Sequence, residues 1–147
     1  PIRGGGRLIG EACHFVDLLR YLANSQIVDL KINTLQSNNS KNDTFTLQIS
    51  FTDGSIGTIN YFSNGNKYYP KERIEVFCEE KIIRVENFRK IKTWGMKNFN
   101  ASNPFSQNKG QIICAKRFID AIENGDDSPI PFNEIIEVQE SILNLIE

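Results

Sequence analysis

The 147 residues fall near the usual size of one domain, long enough to bury a core and too short for two well-built ones, so a single domain over residues 1–147 is expected. An apolar fraction of 39% argues against disorder, and no run of 18 apolar residues is present to cross a membrane. Seventeen basic against 18 acidic side chains leave a net charge of -1 with no basic block to hold a phosphate backbone, which excludes nucleic acid as an expected partner.

The opening PIRGGGRLIGE lacks the apolar stretch of a signal peptide, so a cytoplasmic protein is the expectation and the sequons at Asn38, Asn42 and Asn100 carry no weight. Gly4-Gly5-Gly6 invites a phosphate-loop reading, but GGGRLIG lacks the GxGxxG spacing and follows no strand, which leaves a plain turn or linker. Residues 11–23, EACHFVDLLRYLA, place Phe15, Leu18, Leu19 and Leu22 at helical spacing, and Asn24-Ser25 closes that helix. A stretch of period two follows. Val28, Leu30 and Ile32 alternate with Asp29, Lys31 and Asn33, then Phe45, Leu47, Ile49 and Phe51 alternate with Thr44, Thr46, Gln48 and Ser50, which predicts strands buried on one face. The polar side of the second strand is neutral, and it reads equally as a solvated face or as a surface for a partner.

Asp53-Gly54 before SIGTINYF predicts a hairpin with the next strand, and KERIEVFCE with KIIRVENF predicts another around Glu79-Glu80. Residues 92–106, KTWGMKNFNASNPFS, show neither period and read as a long surface loop, in which Trp94 and Phe99 either anchor the loop or stack on a ring. Ile112, Ile113, Ala115, Phe118, Ile119 and Ile122 mark a helix ending near Gly125, and Pro129 and Pro131 precede a last helix over residues 132–147. The fold class is therefore α+β: one mainly antiparallel open β-sheet with helices packed on one face.

His14 is the only histidine, with Glu11 three residues before it and Asp17 three after, so both carboxylates flank the imidazole at the edge of the apolar stripe. A carboxylate there fixes the tautomer and raises the basicity that a general acid/base needs; the alternative is a structural histidine. Arg3 and Arg7, flanking the glycines, suit a clamp on a carboxylate or phosphate, or are simply solvated. Lys71, at a strand end, suits the same anionic group, or pairs with Glu72 or Glu75. Cys13, Cys78 and Cys114 have no C-x-x-C spacing and one histidine for company, so they read as buried reduced thiols and no metal site is expected.

The string GGGRLIGEACHFVDLLRYL, followed by FTDGSIGTINYFSNG, PKERIEVF and SPIPFNEIIEV in order, resembles the carboxy-terminal domain of the glucose-fructose oxidoreductase, inositol dehydrogenase and MocA family. The family's three glycines, histidine and following aspartate match Gly4, Gly5, Gly6, His14 and Asp17. The resemblance implies a glyceraldehyde-3-phosphate-dehydrogenase-like domain, partnered with an amino-terminal Rossmann domain that binds NAD or NADP, supplies a catalytic lysine and is absent from this chain. It implies further that this domain forms the floor of a pocket for a sugar-like small molecule and self-associates through its open sheet. His14 would then assist proton transfer at the hydroxyl being oxidised, with Asp17 supporting the helix, and the chain alone would be inactive. One position departs: the family carboxylate four residues before the histidine falls on Gly10, and Glu11 stands one residue later, about 100° round a helix. That departure favours the alternative of a non-catalytic dimerisation or ligand-binding module that kept the fold.

Overall fold

The computed structural model describes residues 6–36, 43–97, 99 and 106–146. The chain forms two units, residues 1–64 with 127–147 and residues 65–126.

In the first unit a π-helical turn, Leu8–Ala12, leads into α1, Cys13–Ala23. The helix stops where expected, because Asn24 adopts the left-handed conformation (φ 49°) and its N–H donates to the carbonyls of Arg20 and Tyr21. Three antiparallel strands follow, β1 (Ile27–Thr34), β2 (Thr44–Phe51) and β3 (Ile56–Phe62), with β2 in the centre. Phe45, Leu47, Ile49 and Phe51 of β2 are all buried and form a core with Ala12, Val16, Ile59, Val138 and Ile142. That core holds α1 and the last helix, α3 (Phe132–Leu143), against one face of the sheet, each fully buried aliphatic or aromatic side chain contributing roughly 1.5–3 kcal/mol. Asp53 sets the β2–β3 turn: its carboxylate accepts from the Ser55 N–H at 3.0 Å and the Ser55 hydroxyl at 2.9 Å, which holds it below the usual aspartate range.

The expected phase of β1 is broken at its start. Ile27 pairs with Phe51 and Asp29 with Ser50, so Val28 is the extra residue of a bulge and stays 62% exposed while Ile27 turns inward.

The second unit contains β4 (Arg73–Cys78), β5 (Lys81–Glu86), β6 (Lys90–Trp94) and α2 (Gln111–Asn124). The hairpin at Glu79-Glu80 forms as expected, with both residues at positive φ (46° and 62°). The start of the proposed long loop is corrected: Lys90–Trp94 is a third strand, in which Ile82 pairs with Trp94 and Val85 with Ile91. Its single pair of inward residues, Ile91 and Thr93, is too short to show a period, so pairing with β5 decides the conformation. Residues 98 and 100–105 of that loop lie outside the described residues. Arg84 of β5 binds Glu75 at 2.8 Å across to β4 and lies over the Trp94 ring at 5.3 Å, so Trp94 anchors a strand.

The α+β class holds, with the strands among the described residues divided into two three-stranded antiparallel sheets where a single sheet was expected. Between β3 and β4 the chain turns repeatedly, the Tyr69 N–H bonding to the Asn66 carbonyl at 2.9 Å ahead of Pro70, so ladder pairing ends before the second sheet starts. Helices α1 and α3 cover a sheet face; α2 buries none of its residues.

Candidate functional site

His14 lies on α1 with its side chain exposed, one helical turn before Asp17. Burial pushes the Asp17 carboxyl above its usual range, and the neighbouring Glu134 carboxylate adds to this, while His14 and Arg20 pull it back. The i, i+3 spacing places Asp17 and His14 on the same side of α1.

Glu11 faces another way. Its carboxylate accepts from the Arg7 guanidinium and from the Tyr61 hydroxyl, both short contacts, and Arg7 also approaches the Tyr61 oxygen at 3.5 Å. The Tyr61 ring stacks on the buried Phe45 ring at 5.1 Å with planes 12° apart, which fixes the hydroxyl. Burial, then Glu11, pushes the Tyr61 hydroxyl pKa up, and Tyr61 and Glu11 together raise that of Arg7. The π-helical turn spans Gly10 and Glu11, the place where the sequence departs from the family pattern. Arg7 thus comes to a carboxylate of its own chain, and Arg3 lies outside the described residues.

Sequence reasoning missed the group that joins the helices. Arg20, 7% exposed, donates from Nε to both carboxylate oxygens of Glu137 at 3.2 Å and places Nη2 3.7 Å from Glu134. Glu137 in turn accepts the Ile27 N–H at 2.5 Å. One arginine and one carboxylate therefore tie α1, α3 and the first strand together beneath Asp17. An arginine three residues after Asp17 was visible; its partner 117 positions on carried no signal.

Lys71 belongs to the second unit, beside a groove of about 520 Å³. Neither expected partner binds it, since Glu72 pairs with Lys109 at 2.7 Å and Glu75 with Arg84 at 2.8 Å. The three thiols are free, but their expected burial is corrected: Cys13 is half-buried, and Cys78 and Cys114 are exposed, the one ending the edge strand β4 and the other on α2, which buries none of its residues. Among the described residues no group of three His, Cys, Asp or Glu side chains could hold a metal ion.

The described residues do not fit a dinucleotide. Every strand pairing among them is antiparallel, with none of the parallel strand–glycine turn–helix units that bring backbone N–H groups to a pyrophosphate. Helices packed on one face of an antiparallel sheet fit the α+β domain that the family resemblance implies. The model of the GFO/IDH/MocA C-terminal domain matches residues 1–84.

The chain belongs to the GFO/IDH/MocA C-terminal domain family.

Solved structures share the fold beyond the matched residues. UDP-N-acetylglucosamine 3-dehydrogenase GnnA from Acidithiobacillus ferrooxidans superposes with a TM-score of 0.77 at 14% identity, over 95% of this chain and 45% of that one. The dehydrogenase MviM from Clostridium difficile gives 0.76 at 21% identity, over 99% and 48%. The WlbA dehydrogenase from Bordetella pertussis, solved with NADH and UDP-GlcNAcA, gives 0.62 at 18% identity, over 96% and 42%. At these identities the likeness carries the fold, and this GFO/IDH/MocA domain spans less than half the length of each. No curated protein matches the sequence.

Proposed function

We propose that this chain is the substrate-side domain of an NAD(P)-dependent oxidoreductase acting on a hydroxyl of a sugar, cyclitol or sugar nucleotide. The observation that carries the proposal is His14: the one imidazole of the sequence, exposed on α1 with Asp17 a turn away. Oxidising an alcohol requires its hydroxyl proton to leave, and an imidazole steadied by a carboxylate is suited to receive it near neutral pH. The dehydrogenases that share the fold support the reaction class, and two of them are named for, or hold, UDP-linked sugars. NAD or NADP is assigned to a domain outside these 147 residues, because the described ones do not fit it. The chain by itself is then inactive.

Asp17 supports the helix that presents His14, and Glu11 with Arg7 and Tyr61 pins its start. Arg3, Arg7 and Lys71 remain the substrate-binding candidates; of these, Arg7 must share its guanidinium with Glu11. Residues 1–147 act as one substrate-binding and oligomerisation domain, associating through the outer face of β2. Thr44 and Thr46 there bond sideways to Ser63 (3.1 Å) and Asn60 (3.0 Å), and the exposed Ile56 and Phe62 of β3 flank them. A cytoplasmic location accompanies this reading, and no helix among the described residues is long and apolar enough to cross a membrane.

In the full-length protein, His14→Ala lowers turnover roughly 100-fold or more. An unchanged rate removes the proton-transfer role. Gly10 at the family carboxylate position, with Glu11 turned onto Arg7 and Tyr61, favours a second reading: a non-catalytic module that kept the fold. Saturable NAD(P) binding and sugar-dependent NAD(P)H formation by the full-length protein exclude that reading, and their absence supports it.

A further inference from the structure

Two Asn-Gly pairs occur in the chain, Asn64-Gly65 and Asn124-Gly125. Such a pair carries a reaction of its own. The backbone nitrogen of the glycine attacks the side-chain carbonyl carbon of the asparagine, a C–N bond forms, ammonia leaves, and a succinimide ring remains. Water then opens the ring at either of its carbonyls to give aspartate or isoaspartate, with no oxidant or cofactor involved. Glycine favours the attack because it puts no Cβ beside the nucleophile and leaves the backbone free to turn. The two pairs are alike in sequence and differ in their surroundings.

Asn124 ends α2, and Gly125 follows it in the left-handed conformation (φ 69°). The Gly125 N–H donates to the Ile122 carbonyl at 3.3 Å and the Asp126 N–H to the Ala121 carbonyl at 2.9 Å, the paired bonds of a Schellman closure. The nitrogen that would attack is thus held toward the helix, and ring closure requires the last turn to open first. Asn64 lies in the turn after β3, where it and Gly65 are both exposed and outside any helix or strand. Among the described residues no hydrogen bond holds the Gly65 N–H or the Asn64 side chain. The asparagines nearest to it in sequence are engaged: Asn66 Oδ1 accepts the Tyr68 N–H at 2.9 Å, and Asn60 Oδ1 accepts the Thr46 hydroxyl at 3.0 Å within the sheet. No ordered element has to open for the ring to close at Asn64.

We infer that Asn64 is a site of spontaneous deamidation in the folded protein, and that Asn124 is protected by its helix end. The bond affected is the one at which the first unit passes into the second. The product carries one more negative charge there, and its isoaspartyl form lengthens the main chain by one atom. The inference stands apart from the proton-transfer role of His14, since it is read from covalent structure alone.

The test is peptide mass mapping of the full-length protein aged at mildly alkaline pH, both native and in urea, with isoaspartate counted by enzymatic methylation. In the native protein Asn64 converts at least about tenfold faster than Asn124, the factor expected for opening one or two hydrogen bonds at a helix end. In urea the two convert at similar rates, because the helix end is gone. Gly65→Ala slows conversion at position 64 several-fold in both conditions and leaves Asn124 as in the parent. Both side chains of the pair are exposed, so this variant keeps the fold. Equal native rates at the two sites overturn the inference, as does folding that slows Asn64 as much as it slows Asn124. So does a Gly65→Ala protein that converts at the parent's rate, or Asn64 remaining intact while Asn124 reacts.

Discussion

Replacing Arg20 by methionine keeps the apolar length of the side chain and removes the charge that joins α1 to α3. Both Glu137 oxygens lie 3.2 Å from Arg20 Nε, a separation worth about 5 kcal/mol of direct attraction at an effective dielectric constant of 20. Much of that offsets the desolvation of the two groups, so the relevant quantity is the penalty for leaving Glu137 buried without its cation, about 3–5 kcal/mol in general. Glu137 and Glu134 keep 20% and 28% side-chain exposure, which allows some screening and places the expected loss near the lower end, about 3 kcal/mol. In thermal unfolding that is a fall of about 12 °C for a chain of this size. Glu137→Gln retains an acceptor for the Ile27 N–H, so the double-mutant cycle isolates the charge pair and returns a coupling of about 2 kcal/mol or more. Urea unfolding of the four proteins decides the matter. A loss below about 1 kcal/mol for Arg20→Met, or additive single effects, refutes the assignment of this pair as the clamp.

Three further substitutions follow from the same physics. The Asp17 carboxyl titrates above its unfolded value of 3.8, so the folded chain holds this proton more tightly and loses the corresponding stability as pH rises through the folded value. Asp17→Asn is therefore more stable than the parent at pH 7, with an advantage that fades on acidification and is gone below the unfolded value. Equal stability at pH 7, or an advantage independent of pH, contradicts this. Gly95 sits at φ 71° with the position of an added Cβ only 2.6 Å from the Glu80 carbonyl oxygen, whereas Gly54, at φ 86°, has open space around it. Gly54→Ala costs about 1 kcal/mol for conformation alone, and Gly95→Ala costs roughly 2–3 kcal/mol because the clash is added. Equal losses in denaturant unfolding remove the contact at Gly95.

Much of the fold is legible in the order of residues because its signals are local. The left-handed stop at Asn24, the alternation of Phe45, Leu47, Ile49 and Phe51 and the turn at Asp53-Gly54 each depend on neighbours a few positions away. Val28 was misplaced because a bulge leaves no mark on the alternation around it. Residues 92–94 read as loop because a strand of five residues gives too little period, and that strand depends on pairing with β5. The site divides in the same way. His14 and Asp17 are a turn apart and were visible together, whereas Glu11 meets Tyr61 fifty positions away and Arg20 meets Glu137 more than a hundred away. Those contacts exist only after the sheet and helices have packed.

The proposed role of His14 is tested most directly by the structure of the full-length protein with NAD(P) and a sugar alcohol bound. A ring nitrogen of His14 within about 3.2 Å of the hydroxyl oxygen at the carbon to be oxidised is the expected result. A ring held roughly 6 Å or more from every substrate oxygen, with no bridging water, is beyond proton-transfer reach and contradicts the account.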